Sequence, residues 1–236
     1  YGIADPHAIQ AFLAYACGSW RRGPKYIVLA GKGTYDYKNY LGCGDNMVPA
    51  LLKRTGYVLF VADRQFAPGL AIGRLPATNA SELGALVRKI VTYEQGSGSW
   101  TKRVVMTADN ADGGGDFPRD SDDLARLIPA DHAVGKVYLS SALPGDARQQ
   151  LLQGFNDGAL LVNYVGHGGM DRLAQEGLLT VGDVGALSNA DRLPVVITLT
   201  CVAGRFDVPG YECLGEALVM QPAGGAIAFW GPSGLL

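Results

Sequence analysis

Short apolar runs of strand length alternate with amphipathic stretches of helix length along the chain, and this alternation limits the fold more than any other feature. Tyr26-Ile27-Val28-Leu29-Ala30, Arg103 to Ala108, Ala159 to Val165 and Pro194 to Thr200 are too short for helices and are apolar on both faces. Strands of that kind lie between two covering layers, so the pattern predicts a largely parallel sheet with helices on both sides. The intervening segments have helical period. Asp5-Pro6 supplies an N-cap carboxylate and a first-turn proline ahead of Ile9, Phe12, Leu13 and Ala16. Asn79 and Glu82 have capping-box spacing ahead of Leu83, Leu86, Val87, Ile90 and Val91. Further helices are expected over Ser121 to Ile128, Asp146 to Phe155, Val181 to Ala190 and Glu212 to Met220. Further strands are expected over Val58 to Ala62, Leu70 to Gly73, Lys136 to Leu139 and Ala226 to Trp230. The polar loop Gly96-Ser97-Gly98-Ser99 interrupts the pattern, which restarts beyond it, and predicts a division into residues 1–98 and 99–236.

Composition excludes several classes. With 48% hydrophobic and 18% charged residues, the 236-residue chain can bury a sizeable core, unlike a disordered tail. A net charge of −2 offers no footprint for nucleic acid or an anionic membrane. The longest apolar stretch, Leu193 to Val202, is strand-sized and broken by Pro194, Thr198 and Thr200, so no membrane span is expected. The first residues lack the basic region and apolar core of a signal peptide. Cys17, Cys43, Cys201 and Cys213 form no CxxC pair, and His7, His132 and His167 are far apart, which argues against structural zinc. Buried free thiols are the simplest reading of the cysteines, with a Cys17–Cys43 disulfide open to a secreted protein.

In a parallel sheet the functional crevice lies beyond the carboxyl ends of the strands, so the residues just after each strand carry the argument. Gly31-Lys32-Gly33-Thr34 lacks the spacing of a phosphate loop and reads as a plain turn. Asp109-Asn110-Ala111-Asp112-Gly113-Gly114-Gly115-Asp116 reads either as a solvated turn or as an oxygen-rich calcium loop, without EF-hand register. Gly166-His167-Gly168-Gly169 places a histidine between glycines that permit a tight turn and leave amide N–H groups uncrowded. Cys201 is the first residue past the run ending at Thr200. If these two strands are neighbours, thiol and imidazole share one rim, the arrangement a thiolate nucleophile and its base require. The alternative is that Cys201 is one more core thiol.

Leu161-Val162-Asn163-Tyr164-Val165-Gly166-His167-Gly168 and Leu199-Thr200-Cys201-Val202-Ala203-Gly204-Arg205-Phe206 resemble the catalytic segments of the gingipain-type cysteine peptidases, peptidase family C25 of the caspase-like clan. Ala71 to Pro76, Leu214 to Leu218 and Gly224 to Ala228 resemble further family segments, so the likeness runs over nearly the whole chain. It implies a caspase-like three-layer αβα sandwich with mostly parallel sheets and two side-by-side subdomains, the second carrying the site. It implies Cys201 as nucleophile, His167 as general acid/base, and Gly168 and Cys201 N–H groups as the oxyanion hole. Asp109 matches an acid near the histidine. Asp120 matches a substrate-pocket aspartate of the members that cleave after arginine, with Asp116, Asp122 and Asp123 as alternatives in the same Gly-rich register. Arg205 departs from members with an acid there, and further chain is expected before residue 1 and after residue 236.

The expected activity is that of an endopeptidase acting on protein or peptide substrates through a Cys201 thioester. Two alternatives are a sortase-like transpeptidase of a bacterial secretion system, which passes the acyl group to an amine, and a non-catalytic caspase-like scaffold. The resemblance requires no cofactor for the chemistry, allows structural calcium, and implies secretion or a bacterial cell-surface location. Oligomeric state is left open.

Overall fold

The computed structural model describes residues 5–44, 46–55, 58–61 and 69–235. The chain falls into two compact units: one holds the chain up to Leu86 together with Phe206–Tyr211, the other Val87–Arg205 and the chain from Glu212 onward.

The first unit opens with α1 (Pro6–Ser19), where the Asp5 carboxylate accepts the His7 N–H at 2.9 Å as the N-cap. β1 (Tyr26–Ala30) pairs in parallel with β4 (Ala71–Leu75), and β2 (Leu52–Thr55) pairs antiparallel with β3 (Val58–Val61). Leu13, Ile27, Leu29 and Leu51 form its core. The period-two burial of β1 places Ile27 and Leu29 on one face with α1. The segment after the Cys201 loop is fastened within this unit. Lys32 Nζ donates to the Tyr211 carbonyl at 2.8 Å, the Tyr35 N–H donates to the Asp207 carbonyl at 2.8 Å, and the Arg74 guanidinium lies 4.9 Å from the Phe206 ring centroid.

α2 (Ala80–Gln95) runs through the division between the units. Its start has the expected capping geometry, with the Glu82 N–H donating to Asn79 at 3.0 Å. The division falls inside α2, ahead of the Gly96–Ser99 loop, and Lys89 supplies a physical reason. Its ammonium donates to the carbonyls of Val219, Gln221 and Gly224 at 2.8–2.9 Å, all in the second unit.

The second unit is a five-stranded parallel sheet in the order β11-β10-β7-β5-β6, from β5 (Arg103–Ala108), β6 (Ala133–Tyr138), β7 (Leu161–Val165), β10 (Val195–Leu199) and β11 (Ala228–Trp230). Helices cover both faces because successive strand residues point opposite ways. Val104, Met106 and Ala108 pack with Phe117 and Leu124 of α3 (Phe117–Ala125). Val105, Val162, Tyr164 and Val196 pack with Leu151 and Phe155 of α4 (Pro144–Asn156) and Leu214 and Leu218 of α6 (Leu214–Met220). The expected mostly parallel α/β architecture is therefore present.

Three local expectations change. α3 begins at Phe117 rather than Ser121, because Asp116 caps it and Pro118 fits its first turn. The helix expected over Val181 to Ala190 is only α5 (Val181–Val184). Gly185 follows it, and further on the Ser188 N–H donates to Asn156 Oδ1 at 2.7 Å and the Ala190 N–H to the Ala223 carbonyl at 3.2 Å instead of closing helical turns, while the Asn189 side chain bonds the Gly225 backbone at 2.8 and 2.9 Å. The short pair β8 (Arg172–Leu173) and β9 (Leu179–Thr180) was not expected, being too brief to show alternation. Of the expected strand over Val58 to Ala62, Ala62 lies outside the described residues. No helix among the described residues is long and apolar enough to cross a membrane.

Lys89 is largely buried, which pushes its pKa down to about 8, while three carbonyl acceptors hold the end of α6 to it. Lys89→Met keeps the aliphatic stem and strands those carbonyls. It is expected to cost about 1–3 kcal/mol in urea denaturation at pH 7.

Candidate active site

His167 and Cys201 leave adjacent parallel strands at the same level. Val165 of β7 pairs with Leu199 of β10, and each of the two residues lies two positions past that pair. The Gly166 N–H extends the ladder by donating to the Leu199 carbonyl at 3.2 Å. Beyond it the two loops stay in contact: a Cβ on Gly168 would lie 2.4 Å from Thr200 Oγ1. Neighbouring strands were the condition on which convergence of thiol and imidazole depended, and β7 and β10 meet it.

The backbone of His167 is held from both sides. Its N–H donates to Asp109 Oδ2 at 3.1 Å. Its carbonyl accepts the Tyr164 hydroxyl at 2.6 Å and the Ala174 N–H at 2.9 Å. Gly166 makes this possible. It sits at φ +151°, and a Cβ there would lie 2.3 Å from Asp109 Cβ and 2.6 Å from the Tyr164 hydroxyl.

The imidazole has a different acidic partner. His167 Nε2 lies 3.0 Å from Asp112 Oδ2, and the Phe117 ring stands edge-on to it at 5.2 Å between centroids. Asp109, the acid expected near the histidine, reaches its main chain; Asp112, known from the sequence only as one carboxylate of an acidic Gly-rich loop, reaches its ring. No spacing rule singles out Asp112, because a turn closed by the Gly114 N–H on Asp112 Oδ1 at 2.7 Å brings it back. The two acids titrate in opposite directions. Burial pushes Asp109 above the usual carboxylate range, against N–H donors from Asn110 and His167. The Gly114 N–H, with His167, holds Asp112 below that range.

Around the thiol the chain is strained and braced. Cys201 is half-buried, and Val202 after it adopts φ +43°, a left-handed conformation costing a β-branched residue about 1–3 kcal/mol. Three hydrogen bonds offset it: Val202 N–H to the Gly234 carbonyl, Gly204 N–H to the Pro232 carbonyl and Gly215 N–H to the Ala203 carbonyl, each 3.0 Å. The other thiols are differently placed. Cys17 and Cys43 are exposed and free, which corrects the expectation of burial for both. Cys213 is buried at the start of α6, and burial pushes its thiol up to about 12, which makes it inert.

Gly168 is joined to Leu173 by an antiparallel bridge. That bridge is carried by the bonds on either side, Gly169 N–H to the Arg172 carbonyl and Ala174 N–H to the His167 carbonyl, each 2.9 Å. The Gly168 N–H takes no part in that pairing. Asp120 lies exposed in the first turn of α3. Of its alternatives, Asp116 caps α3, Asp122 accepts from Lys136 and Tyr138 at 2.7 Å each, and Asp123 pairs with Arg126. Among the described residues, no group of three or more His, Cys, Asp or Glu side chains converges as metal ligands.

The family model described as peptidase family C25 matches residues 1–236. The chain is 25% identical over 227 residues to gingipain R2 of Porphyromonas gingivalis, covering 92% of this chain and 29% of that protein. It is 26% identical over 188 residues to Lys-gingipain of the same species, covering 77% of this chain and 11% of that protein. Among solved structures, the Arg-specific cysteine proteinase gingipain R (RGPB) superposes with a TM-score of 0.76 at 23% identity, over 96% of this chain and 53% of that one. A complex of Porphyromonas gingivalis RgpB pro- and mature domains matches with a TM-score of 0.75 at 23% identity, over 96% and 54%. The chain thus spans less than a third of these curated relatives and about half of the solved chains.

Two substitutions test this geometry. Gly166→Ala forces a side chain into Asp109 and Tyr164 at a left-handed φ and is expected to cost more than about 2 kcal/mol in chemical denaturation. Gly113→Ala, where nothing lies within 4 Å of an added Cβ, is the neutral control. Because the native pKa of Asp109 is raised, the folded state binds its proton more tightly than the unfolded chain. Ionisation therefore subtracts stability as pH rises from the ordinary carboxylate value, about 4, through the raised native one. Asp109→Asn removes that cost, so its melting temperature should gain on wild type as pH rises from 3 to about 7. A gap that is constant across this range overturns the assignment.

Proposed function

The chain belongs to peptidase family C25, and from that premise we propose that it carries the catalytic unit of a cysteine endopeptidase, with Cys201 as nucleophile and His167 as general acid/base. The observation that carries the reading is the β7–β10 register, which brings these two residues to one rim from sequence positions 34 residues apart.

The steps follow from these residues. The Cys201 thiolate attacks the scissile carbonyl carbon, forming the S–C bond and pushing the π electrons onto oxygen. That oxyanion takes hydrogen bonds from the Gly168 and Cys201 N–H groups, both placed just past a strand end. His167 gives its proton to the amine nitrogen, the C–N bond breaks, and a thioester remains on Cys201. Water then attacks the thioester, His167 takes its proton, and the acid leaves as the thiolate is restored.

Asp112 fits this scheme as the group that sets the imidazole. A neutral histidine that donates Nε2–H to Asp112 leaves Nδ1 as its proton-exchanging nitrogen, and the imidazolium formed in the reaction is stabilised by the same carboxylate. Asp112 is held low in pKa, so it stays ionised at neutral pH. Asp109 contributes by holding the main chain of His167.

For substrate choice, Asp120 is the candidate acid. It is exposed in the first turn of α3, and its carboxylate has no side-chain partner among the described residues, whereas Asp116, Asp122 and Asp123 are engaged. A basic side chain before the cleaved bond would pair with it. A protein or peptide substrate outside the cell or at its surface completes the reading.

The decisive experiment uses the full-length protein and a library of fluorogenic peptides. Cys201→Ala should abolish turnover, at least about a thousand-fold, with an unchanged far-UV circular dichroism spectrum. Retained turnover in that variant removes the reading. Asp112→Asn should lower kcat by about 10-fold or more with little change in KM. Asp120→Asn should lower kcat/KM for Arg and Lys peptides selectively; an unchanged preference removes Asp120 from the pocket.

A further inference from the structure

We propose that Tyr164 is a positioning residue for His167: its hydroxyl, 2.6 Å from the His167 carbonyl oxygen, fixes the main chain that carries the imidazole. The inference rests on the reading of His167 as general acid/base and adds a residue that the scheme above does not use.

Tyr164 is fully buried in the core shared by β7, α4 and α6. Phenylalanine would fill that volume equally well. A hydroxyl taken from water costs about 1–3 kcal/mol unless it is hydrogen-bonded, so its presence in this core needs a partner. The partner is the carbonyl three residues on, in the loop that bears His167. The phenol cannot leave this role by ionising near neutrality, because burial and then the charge of Asp109 push its pKa upward. It therefore stays a donor.

The hydroxyl belongs to a closed arrangement. The His167 carbonyl takes two donors, Tyr164 Oη and the Ala174 N–H, which uses both of its lone pairs. Ala174 holds a left-handed φ of +57° while it does so, in a fully buried position. Asp109 Oδ2 takes the His167 N–H and lies 3.4 Å from the same hydroxyl. Gly166 leaves the space the hydroxyl occupies. With both peptide groups of His167 fastened, ring placement reduces to its two side-chain torsions. One of these is further limited by Asp112 and Phe117. Loss of the hydroxyl leaves the carbonyl with one donor and frees the loop to shift by a fraction of an ångström, the scale to which proton transfer is sensitive.

The test is Tyr164→Phe in the full-length protein, which keeps the ring and the core. At a temperature where circular dichroism shows the variant fully folded, kcat should fall about 10- to 100-fold with KM unchanged. Labelling with 15N-histidine reports on the backbone amides of His7, His132 and His167. Hydrogen exchange at His167 should accelerate while His132 keeps its wild-type rate. Wild-type kcat in the variant, or exchange that rises equally at His132 and His167, overturns the proposal, since either marks a purely structural hydroxyl. If wild type itself lacks peptidase activity, the functional reading fails. The exchange measurement then still decides whether Tyr164 holds His167: an unchanged His167 rate rejects it and selective acceleration supports it.

Discussion

The parallel pairing of β7 with β10 is the interaction on which the rest depends. Its register sets Val165 against Leu199, and everything proposed for the site follows from what lies two residues further on each strand. A slip of one residue would invert the faces of a whole strand, sending Val196 out of the core that it shares with Val162 and Tyr164. The core therefore holds the register, and the register holds the main chains of Cys201 and His167 at one level. The rim that carries both residues inherits its precision from apolar packing some distance beneath it.

Above that sheet the site is organised by polar groups at a cost in stability. Asp109 is buried and pushed upward in pKa, Tyr164 carries a hydroxyl into an apolar core, Ala174 and Val202 hold left-handed backbone, and Gly166 allows no side chain. None of these choices favours the fold taken alone. All bear on the loops that carry His167 and Cys201. Strain and buried polarity thus concentrate on two adjacent loops, the cost in stability that the proposed reaction centre would carry. The contrast with Cys213 is instructive: a buried thiol under a helix start, with its proton held tightly, is core.

Much of this was legible in the chain. Two-sided apolar runs foretold parallel strands, and Gly-His-Gly and Thr-Cys at their ends marked the rim. Asp5-Pro6 and Asn79 with Glu82 marked two helix starts, because caps act over three or four residues. What escaped was what depends on contacts between distant segments. The stretch from Val181 had helical composition, yet Asn189 is captured by Gly225, 36 residues away. Asp112 was one acid among several until its turn brought it to the imidazole. Segment 206–211 follows the Cys201 loop in sequence but is bonded to Lys32 and Tyr35.

The sequence by itself determined the α/β alternation, the likeness to family C25 and the identity of the histidine and cysteine at the strand ends, because periodicity, capping and strand-end position are properties of neighbouring residues. Only the tertiary structure decided which acid faces the imidazole and which holds its main chain, and that a buried tyrosine reaches the His167 carbonyl. Those assignments turn on distances of about 3 Å between loops and strands that are far apart along the chain, and only the packed sheet and its left-handed glycine turn bring the groups within that reach.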